Sequence, residues 1–165
     1  MRSKMPNTST MPSVLIDTSY LVGLVDSMDV WHEQSRAIAS ALEESAAQLV
    51  YADCVVGEAI GVLARRSEER RRPDQISSLM DRLHQHVPPS AITWIYGQVR
   101  RWYGMILQRV REGRGRLNFH DALLILAARE GGIPAIVSFD RDFDGVPELV
   151  RLHRPDAVIQ WGRED

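Results

Sequence analysis

The sequence predicts an α/β protein, a three-layer α/β/α sandwich with a short, mostly parallel central sheet. Short apolar, β-branched segments alternate with longer segments of helical periodicity, which is the pattern of βαβ units. Clusters of Gly, Pro, Asn and Asp separate these segments. The chain has 165 residues, of which 44% are hydrophobic and 25% charged. This length is enough for one domain with a proper core and too short for two ordinary domains.

The first half of the chain contains two predicted strands, residues 13–17 and 48–51, and three predicted helices, residues 20–25, 31–45 and 55–66. The first strand is apolar and β-branched, and the sequence Asp-Thr-Ser ends it. We expect Thr18 or Ser19 to cap the first helix and Asp53 to cap the third. The charged stretch 67–72 is expected to be a solvated helix end and loop before Pro73.

The second half contains three predicted helices, residues 74–86, 96–112 and 119–130, and three predicted strands, residues 91–95, 133–138 and 157–161. Glycines from residue 113 onwards end the second of these helices. Asn118 is expected to cap the third helix, and a Gly-Gly pair at 131–132 ends it. The stretch 133–138 is the clearest strand, and a loop over 140–147 follows it.

Charge, cysteine content and hydropathy restrict the possible functions. A formal net charge of −2 counts against a protein that coats nucleic acid, although an enzyme can still carry a local basic rim. The single cysteine, Cys54, cannot form a disulfide framework or a cysteine-based zinc site, and it suits a reducing cytoplasm. No stretch approaches the roughly 20 apolar residues of a membrane-spanning helix. Residues 1–12 are polar, and we expect a disordered leader there.

Four acidic residues lie at the ends of apolar segments that are far apart in the chain: Asp17, Glu58, Asp121 and Asp140. A carboxylate beside so much apolar surface is costly to desolvate, so each should face a cleft or a cation. Sites in parallel α/β sheets form beyond the carboxyl ends of the strands, and Asp17 and Asp140 both follow predicted strands. Four converging carboxylates would form an oxygen-rich site for Mg²⁺ or Mn²⁺.

Each acid also has a purely structural interpretation. Asp17 is placed to cap a helix, and Asp121 to be the acid of an N-terminal capping box. An arginine partner would explain Glu58. Asp140 belongs to a cluster of loop aspartates, which are common in turns.

Four motifs in order resemble a known family: residues 15–21 (LIDTSYL), 56–59 (VGEA), 118–123 (NFHDAL) and 137–143 (VSFDRDF). Together they resemble the PIN domain, and within it the VapC-type toxins of bacterial toxin–antitoxin pairs. The resemblance covers nearly the whole chain and implies a PIN-like sandwich. It implies that residues 13–165 form a single nuclease domain, a metal-dependent endoribonuclease located in the cytoplasm.

The resemblance also assigns roles to residues. It implies that Mg²⁺ or Mn²⁺ is held by the four catalytic carboxylates, Asp17, Glu58, Asp121 and Asp140. Asp142 is a further candidate ligand, and Thr18 and Ser138 match small hydroxyl positions that line the site. The implied partners are an RNA substrate, a cognate antitoxin protein and a second copy of the chain in a homodimer.

Other interpretations remain open. A non-catalytic PIN-like RNA-binding or scaffold domain could keep the fold, although an idle cluster of like charges only destabilises it. A metal-dependent phosphatase would need a second aspartate two residues after its nucleophile, but Ser19 stands at that spacing from Asp17.

The sequence does not identify the substrate-binding residues. Arginines between 65 and 116 either line an RNA path or form a solvated face. Four aromatic residues either stack on bases or pack: Trp94, Tyr96, Trp102 and Tyr103.

Overall fold

The computed structural model of the chain describes residues 12–164. The leader expected over residues 1–12 therefore lies outside the described residues, except for Pro12. The carbonyl of Pro12 accepts a hydrogen bond from the backbone N–H of Gln48 at 3.0 Å.

Five strands form one sheet within the described residues: β1 (Ser13–Ile16), β2 (Gln48–Ala52), β3 (Ile92–Thr93), β4 (Ala135–Val137) and β5 (Val150–Leu152). Their order is β3-β2-β1-β4-β5, and every neighbouring pair is parallel. In the central strand β1, Val14, Leu15 and Ile16 are buried, as expected when helices cover both faces of a parallel sheet. The predicted α/β fold class is confirmed.

Seven α-helices lie within the described residues: α1 (Thr18–Val25), α2 (His32–Ser45), α3 (Asp53–Glu69), α4 (Ile76–His86), α5 (Val99–Glu112), α6 (Phe119–Gly131) and α7 (Pro155–Glu164). Helix α2 packs against α1 and α7, α3 packs against α1 and α4, and α5 packs against α6. Helix α6 is buried on most sides, which explains its long apolar run. Within the described residues, none of these helices combines the length and the hydropathy needed to cross a bilayer.

Two helix starts differ from the prediction. Asp17, rather than Thr18 or Ser19, caps α1, because its carboxylate accepts the backbone N–H of Ser19. Asp53 is the first residue of α3 and not its cap. Its carboxylate instead accepts the backbone N–H of Ile95 at 3.0 Å, which fastens the start of α3 to the chain after β3.

The other differences lie near the helix and strand ends. The predicted strand 157–161 is wrong: it lies in α7, which begins at Pro155 and turns Val158 and Trp161 inwards at helical spacing. The last strand, β5, precedes it and was not predicted. In the stretch 67–72, α3 ends at Glu69 and residues 68–71 are exposed, as expected, whereas Ser67 is buried. The strand expected over 91–95 is only the two residues of β3.

Candidate acidic active site

The candidate site lies at the carboxyl edge of the sheet, where β1 and β4 end side by side. Ile16 is paired with Val137 in the parallel register. The backbone N–H of Asp17 donates to the carbonyl of Val137 at 3.0 Å, which extends this pairing by one residue. The first residue after each strand, Asp17 and Ser138, is thereby brought to the same place.

Asp17 is buried, with 6% of its surface exposed, and is held by hydroxyl groups. Its Oδ2 accepts hydrogen bonds from Ser19 Oγ at 2.7 Å and from Ser138 Oγ at 2.6 Å. Burial raises the pKa of Asp17 above its ordinary value, and the hydrogen bonds from Ser138 and Ser19 only partly oppose that effect. The carboxylate is therefore fixed in orientation without a positively charged partner among these contacts.

Glu58 reaches the same edge from α3. Its Oε2 accepts a hydrogen bond from Thr18 Oγ1 at 2.8 Å, so the first residue of α1 holds the carboxylate of α3 in position. The structural interpretation of Glu58 required an arginine, but its hydrogen-bond partner is this hydroxyl. Thr18 and Ser138, the two hydroxyl residues implied by the family motifs, each hold one of the predicted acids.

Asp121 belongs to a helix cap and also lies beside the other predicted acids. It is the acid of a capping box at the start of α6: its Oδ2 accepts the N–H of Asn118 at 2.8 Å, and Asn118 Oδ1 accepts its N–H at 3.0 Å. Its pKa is nevertheless raised to about 6. Burial is the largest cause, and the charges of Asp17, Asp140 and Glu58 raise it further. The electrostatic coupling indicates that four acids from distant segments are near neighbours.

Asp140 and Asp142 lie on the loop after β4 but face different surroundings. The backbone N–H of Asp140 donates to Ser138 Oγ at 3.0 Å, which places Asp140 beside Asp17. Asp140 Oδ1 accepts the N–H of Asp142 at 2.8 Å. The side chain of Asp142 lines a neighbouring cavity of about 200 Å³ together with Arg109 and Arg116. Asp142 is therefore not gathered with the four acids.

The four acids surround one cleft of about 240 Å³. Its walls also contain hydroxyl, aromatic and cationic side chains, and the complete lining is Asp17, Thr18, Ser19, Val22, Asp29, Trp31, Glu58, Val62, Arg66, Asn118, Asp121 and Asp140. Arg66 is the cation in this lining, and its guanidinium is paired with Asp29. The four predicted acids thus share one concave, negatively charged space.

Residues 14–149 match the family model of the PIN domain, which is most of the chain. The chain belongs to the PIN-domain family. Among solved structures, this PIN domain is similar to VapC20 of Mycobacterium tuberculosis, a toxin described as cleaving the sarcin-ricin loop. The two chains are 21% identical, with a TM-score of 0.57, over 82% of this chain and 95% of that chain. At this identity the likeness shows a shared fold. No curated protein sequence matches the chain.

The donor atoms around the cleft suit a hard divalent cation, because carboxylate oxygens predominate and no cysteine lines it. Within residues 12–164, no three His, Cys, Asp or Glu side chains stand close enough together to form a ready-made ion site. Binding an ion would therefore require adjustment of side chains. Asp140 is exposed and Glu58 is half-buried, so both have room to rotate towards the buried Asp17.

Sequence reasoning missed three residues in the cleft wall: Asp29, Trp31 and Arg66. Asp29 and Trp31 lie in a stretch interpreted as a loop and a helix start. Arg66 ends a predicted helix and is one of the arginines interpreted either as an RNA path or as a solvated face. Their approach to the acids depends on how α3 packs against α1. The sequence around residues 29–31 carries no local signal for this position, because the exposure of Trp31 arises only in the fold.

Proposed function

We propose that this PIN domain is a divalent-metal-dependent endoribonuclease and the toxin of a type II toxin–antitoxin pair. The observation that carries the proposal is the convergence of Asp17, Glu58, Asp121 and Asp140 on one cleft. Burial raises the pKa of Asp121 there, and the charges of the other three acids add a smaller increase. Like charges gathered without a cation destabilise a fold, so their gathering favours a site that binds one. The fold shared with a toxin that cleaves the sarcin-ricin loop favours RNA as the substrate.

The four carboxylates would hold Mg²⁺ or Mn²⁺. When bound, such an ion lowers the pKa of a water molecule and neutralises charge on the phosphate oxygens. Ser19 and Ser138 keep Asp17 oriented through its Oδ2. Thr18 does the same for Glu58. Asp142 is proposed as an outer group, because its N–H donates to the carboxylate of Asp140 and fixes it.

The proposed reaction is hydrolysis of a phosphodiester bond in an unpaired or looped stretch of RNA. Unpaired nucleotides are the usual targets of sequence-specific RNA recognition, because their bases and backbone can be splayed into a protein site. An RNA stem-loop with the sarcin-ricin sequence is the first substrate to test, because the structurally similar toxin is described as cleaving that loop.

The proposal includes two protein partners. A small antitoxin would block the cleft, and an arginine presented to the acids would be favoured by their charge. A homodimer would use exposed apolar side chains of α5, which include Tyr103 and Met105. Light scattering of the purified chain tests the dimer by its mass, and co-expression with the neighbouring small reading frame tests the antitoxin.

Cleavage of the stem-loop RNA tests the enzyme. We expect cutting with Mg²⁺ or Mn²⁺ and none with EDTA. Asp17→Asn and Asp121→Asn should each reduce the rate by at least about 100-fold, because each removes one charged group of a cooperating set. Asp81→Asn is the matched control, since Asp81 is exposed on α4 outside the cleft.

Two outcomes contradict the assignment. Unchanged cutting by Asp17→Asn or Asp121→Asn, with circular dichroism like that of the native protein, excludes these roles. A native protein that binds the RNA but never cuts it with either metal favours the second candidate, a non-catalytic RNA-binding domain. The observation that favours this second candidate is the absence, among residues 12–164, of a ready-made three-ligand ion site.

A further inference from the structure

The loop between α1 and α2 is fastened at both of its ends by buried aspartates. Asp26 is 1% exposed, and its Oδ1 accepts the backbone N–H of Met28 at 3.0 Å. Asp29 is also buried, and its Oδ1 accepts the N–H of Trp31 at 2.8 Å. Each carboxylate therefore stabilises a tight turn of the backbone, and the second turn sets the position of Trp31.

Three arginines from the end of α3 and the turn after it pair with these aspartates. Arg66 pairs with Asp29. Arg70 Nη1 and Arg72 Nη2 lie 3.6 Å and 3.4 Å from Asp26 Oδ2. Such pairs between well-buried carboxylates and arginines are costly to break, so the loop is held in one arrangement against α3.

This fixed loop presents Trp31 at the wall of the acidic cleft. The indole ring stacks on the ring of Phe139, with centroids 4.5 Å apart and planes inclined by 13°. Phe139 lies between Ser138 and Asp140, so the stacked pair adjoins the loop that carries one of the acids. Trp31 remains 41% exposed although one face of its ring is covered. The exposed part of the ring therefore lies on the opposite face or along the edges, and Trp31 belongs to the lining of the cleft.

We propose that Trp31 is a base-stacking residue, whose face opposite Phe139 receives one unpaired nucleobase beside the phosphate held at the acids. The proposal rests on the endoribonuclease function proposed above. Stacking on an aromatic side chain accepts any base, because every base has a π-face. Phe139 behind the indole and Asp29 beneath its backbone hold the ring in place before RNA binds, which reduces the ordering needed on binding.

A purely structural role makes a different prediction for the same residue. If Trp31 only supports Phe139, its removal displaces the loop with Asp140, and the rate of the chemical step falls whatever base the RNA carries. If Trp31 stacks on a base, RNA binding weakens, and the effect depends on the presence of that base. The two roles are therefore separable by changing the substrate as well as the protein.

The test compares Trp31→Ala and Trp31→Phe with Trp94→Ala, in which a tryptophan that is 72% exposed and outside the cleft is removed. The probe is a short fluorescein-labelled single-stranded RNA, with or without one abasic nucleotide beside the cut. Dissociation constants are measured by anisotropy with Mg²⁺ in an Asp121→Asn background. KM and kcat are measured in the otherwise native protein.

For Trp31→Ala we expect binding to weaken by about 10-fold, within the 5- to 150-fold that corresponds to the stacking of one base. KM should rise by a similar factor with kcat changed little. Trp31→Phe should restore most of the loss, and Trp94→Ala should bind like the parent protein. On RNA that is abasic at the stacked position, Trp31→Ala and the parent should bind equally.

Equal binding of intact RNA by Trp31→Ala and its parent overturns the inference. So does a loss that persists unchanged at every abasic position, or a fall in kcat alone. The proposed function fails separately, by the absence of metal-dependent cutting in the native protein. The binding measurements then still decide whether Trp31 stacks on a base, because they do not need cleavage.

Discussion

This PIN domain contains two pairs of buried aspartates that differ in how their charge is balanced. Asp26 and Asp29 pair with arginines of α3 and the turn after it. Asp17 and Asp121 receive hydrogen bonds from hydroxyl and backbone groups, and the pKa of each is raised. The first pair holds a loop in place. The second pair has the unbalanced charge expected of carboxylates that bind a cation. Burial therefore does not separate these two pairs of aspartates, whereas the presence of an arginine partner does.

The largest effect is expected from Asp26→Ala, which leaves Arg70 and Arg72 without their shared carboxylate and Met28 without its turn contact. We expect the free energy of unfolding to fall by about 3 kcal/mol, the lower end for a broken buried pair, since Arg70 is partly exposed. Urea denaturation measures it. Asp81→Ala on the surface of α4 is the control and should change stability by less than about 0.5 kcal/mol. A loss in Asp26→Ala no larger than that in the control would mean that pairing with Arg70 and Arg72 does not hold the loop in place.

In metal-free protein, Asp121→Asn is expected to raise the free energy of unfolding, whereas Asp26→Ala lowers it. A raised pKa means that the folded state binds more protons than the unfolded state between about pH 4 and pH 6. Stability is therefore greatest below that window and declines as pH rises through it. At pH 7.5 the variant, which lacks the ionised carboxylate, should gain on the order of 1 kcal/mol, reduced from the full pKa shift by water in the cleft.

Thermal unfolding with EDTA at pH 4 and pH 7.5 checks this second prediction. From pH 4 to pH 7.5, the melting temperature of the native protein should fall more than the melting temperature of the variant. A variant that is less stable than the native protein at pH 7.5 would mean that the capping box, and not charge repulsion, dominates at Asp121.

The smallest effect on stability is expected for Thr18→Val, which removes the hydroxyl that holds Glu58. The free energy of unfolding should change by about 1 kcal/mol or less, because the hydrogen bond is partly exposed. RNA cleavage should nevertheless fall by about 10-fold through loss of positioning. Thr18→Ser, which keeps the hydroxyl, is the matched control. Full activity in the valine variant would show that Glu58 does not need this contact.

The acids of the cleft were predictable because the sequence itself marks strand ends. Asp17 and Asp140 each follow a buried apolar run, and the ends of parallel strands meet at one edge. Asp121 was predicted correctly as the acid of a capping box at the start of α6, and it also lines the cleft. Its role as an ion ligand stays a prediction. Glu58 does not follow a strand, so its approach to the other acids depends on how α3 packs against α1.

The errors have local physical causes. Val158 and Ile159 are β-branched and favoured a strand, but Pro155 and the inward spacing of Val158 and Trp161 made α7. Of the four aromatic candidates for stacking, Trp102 is buried in α5 and is not available to a base. Trp31 was overlooked because its contacts with Phe139 and with the Asp29–Arg66 pair join segments far apart in the chain.

The outermost strands of the sheet, β3 and β5, contain two and three residues. A second polypeptide that added a strand to the sheet could form only a few backbone hydrogen bonds with either edge strand. Short edge strands of this kind protect against edge-to-edge aggregation. A protein inhibitor of this domain is therefore expected to recognise side chains on the helices or in the cleft, and not to bind by strand addition.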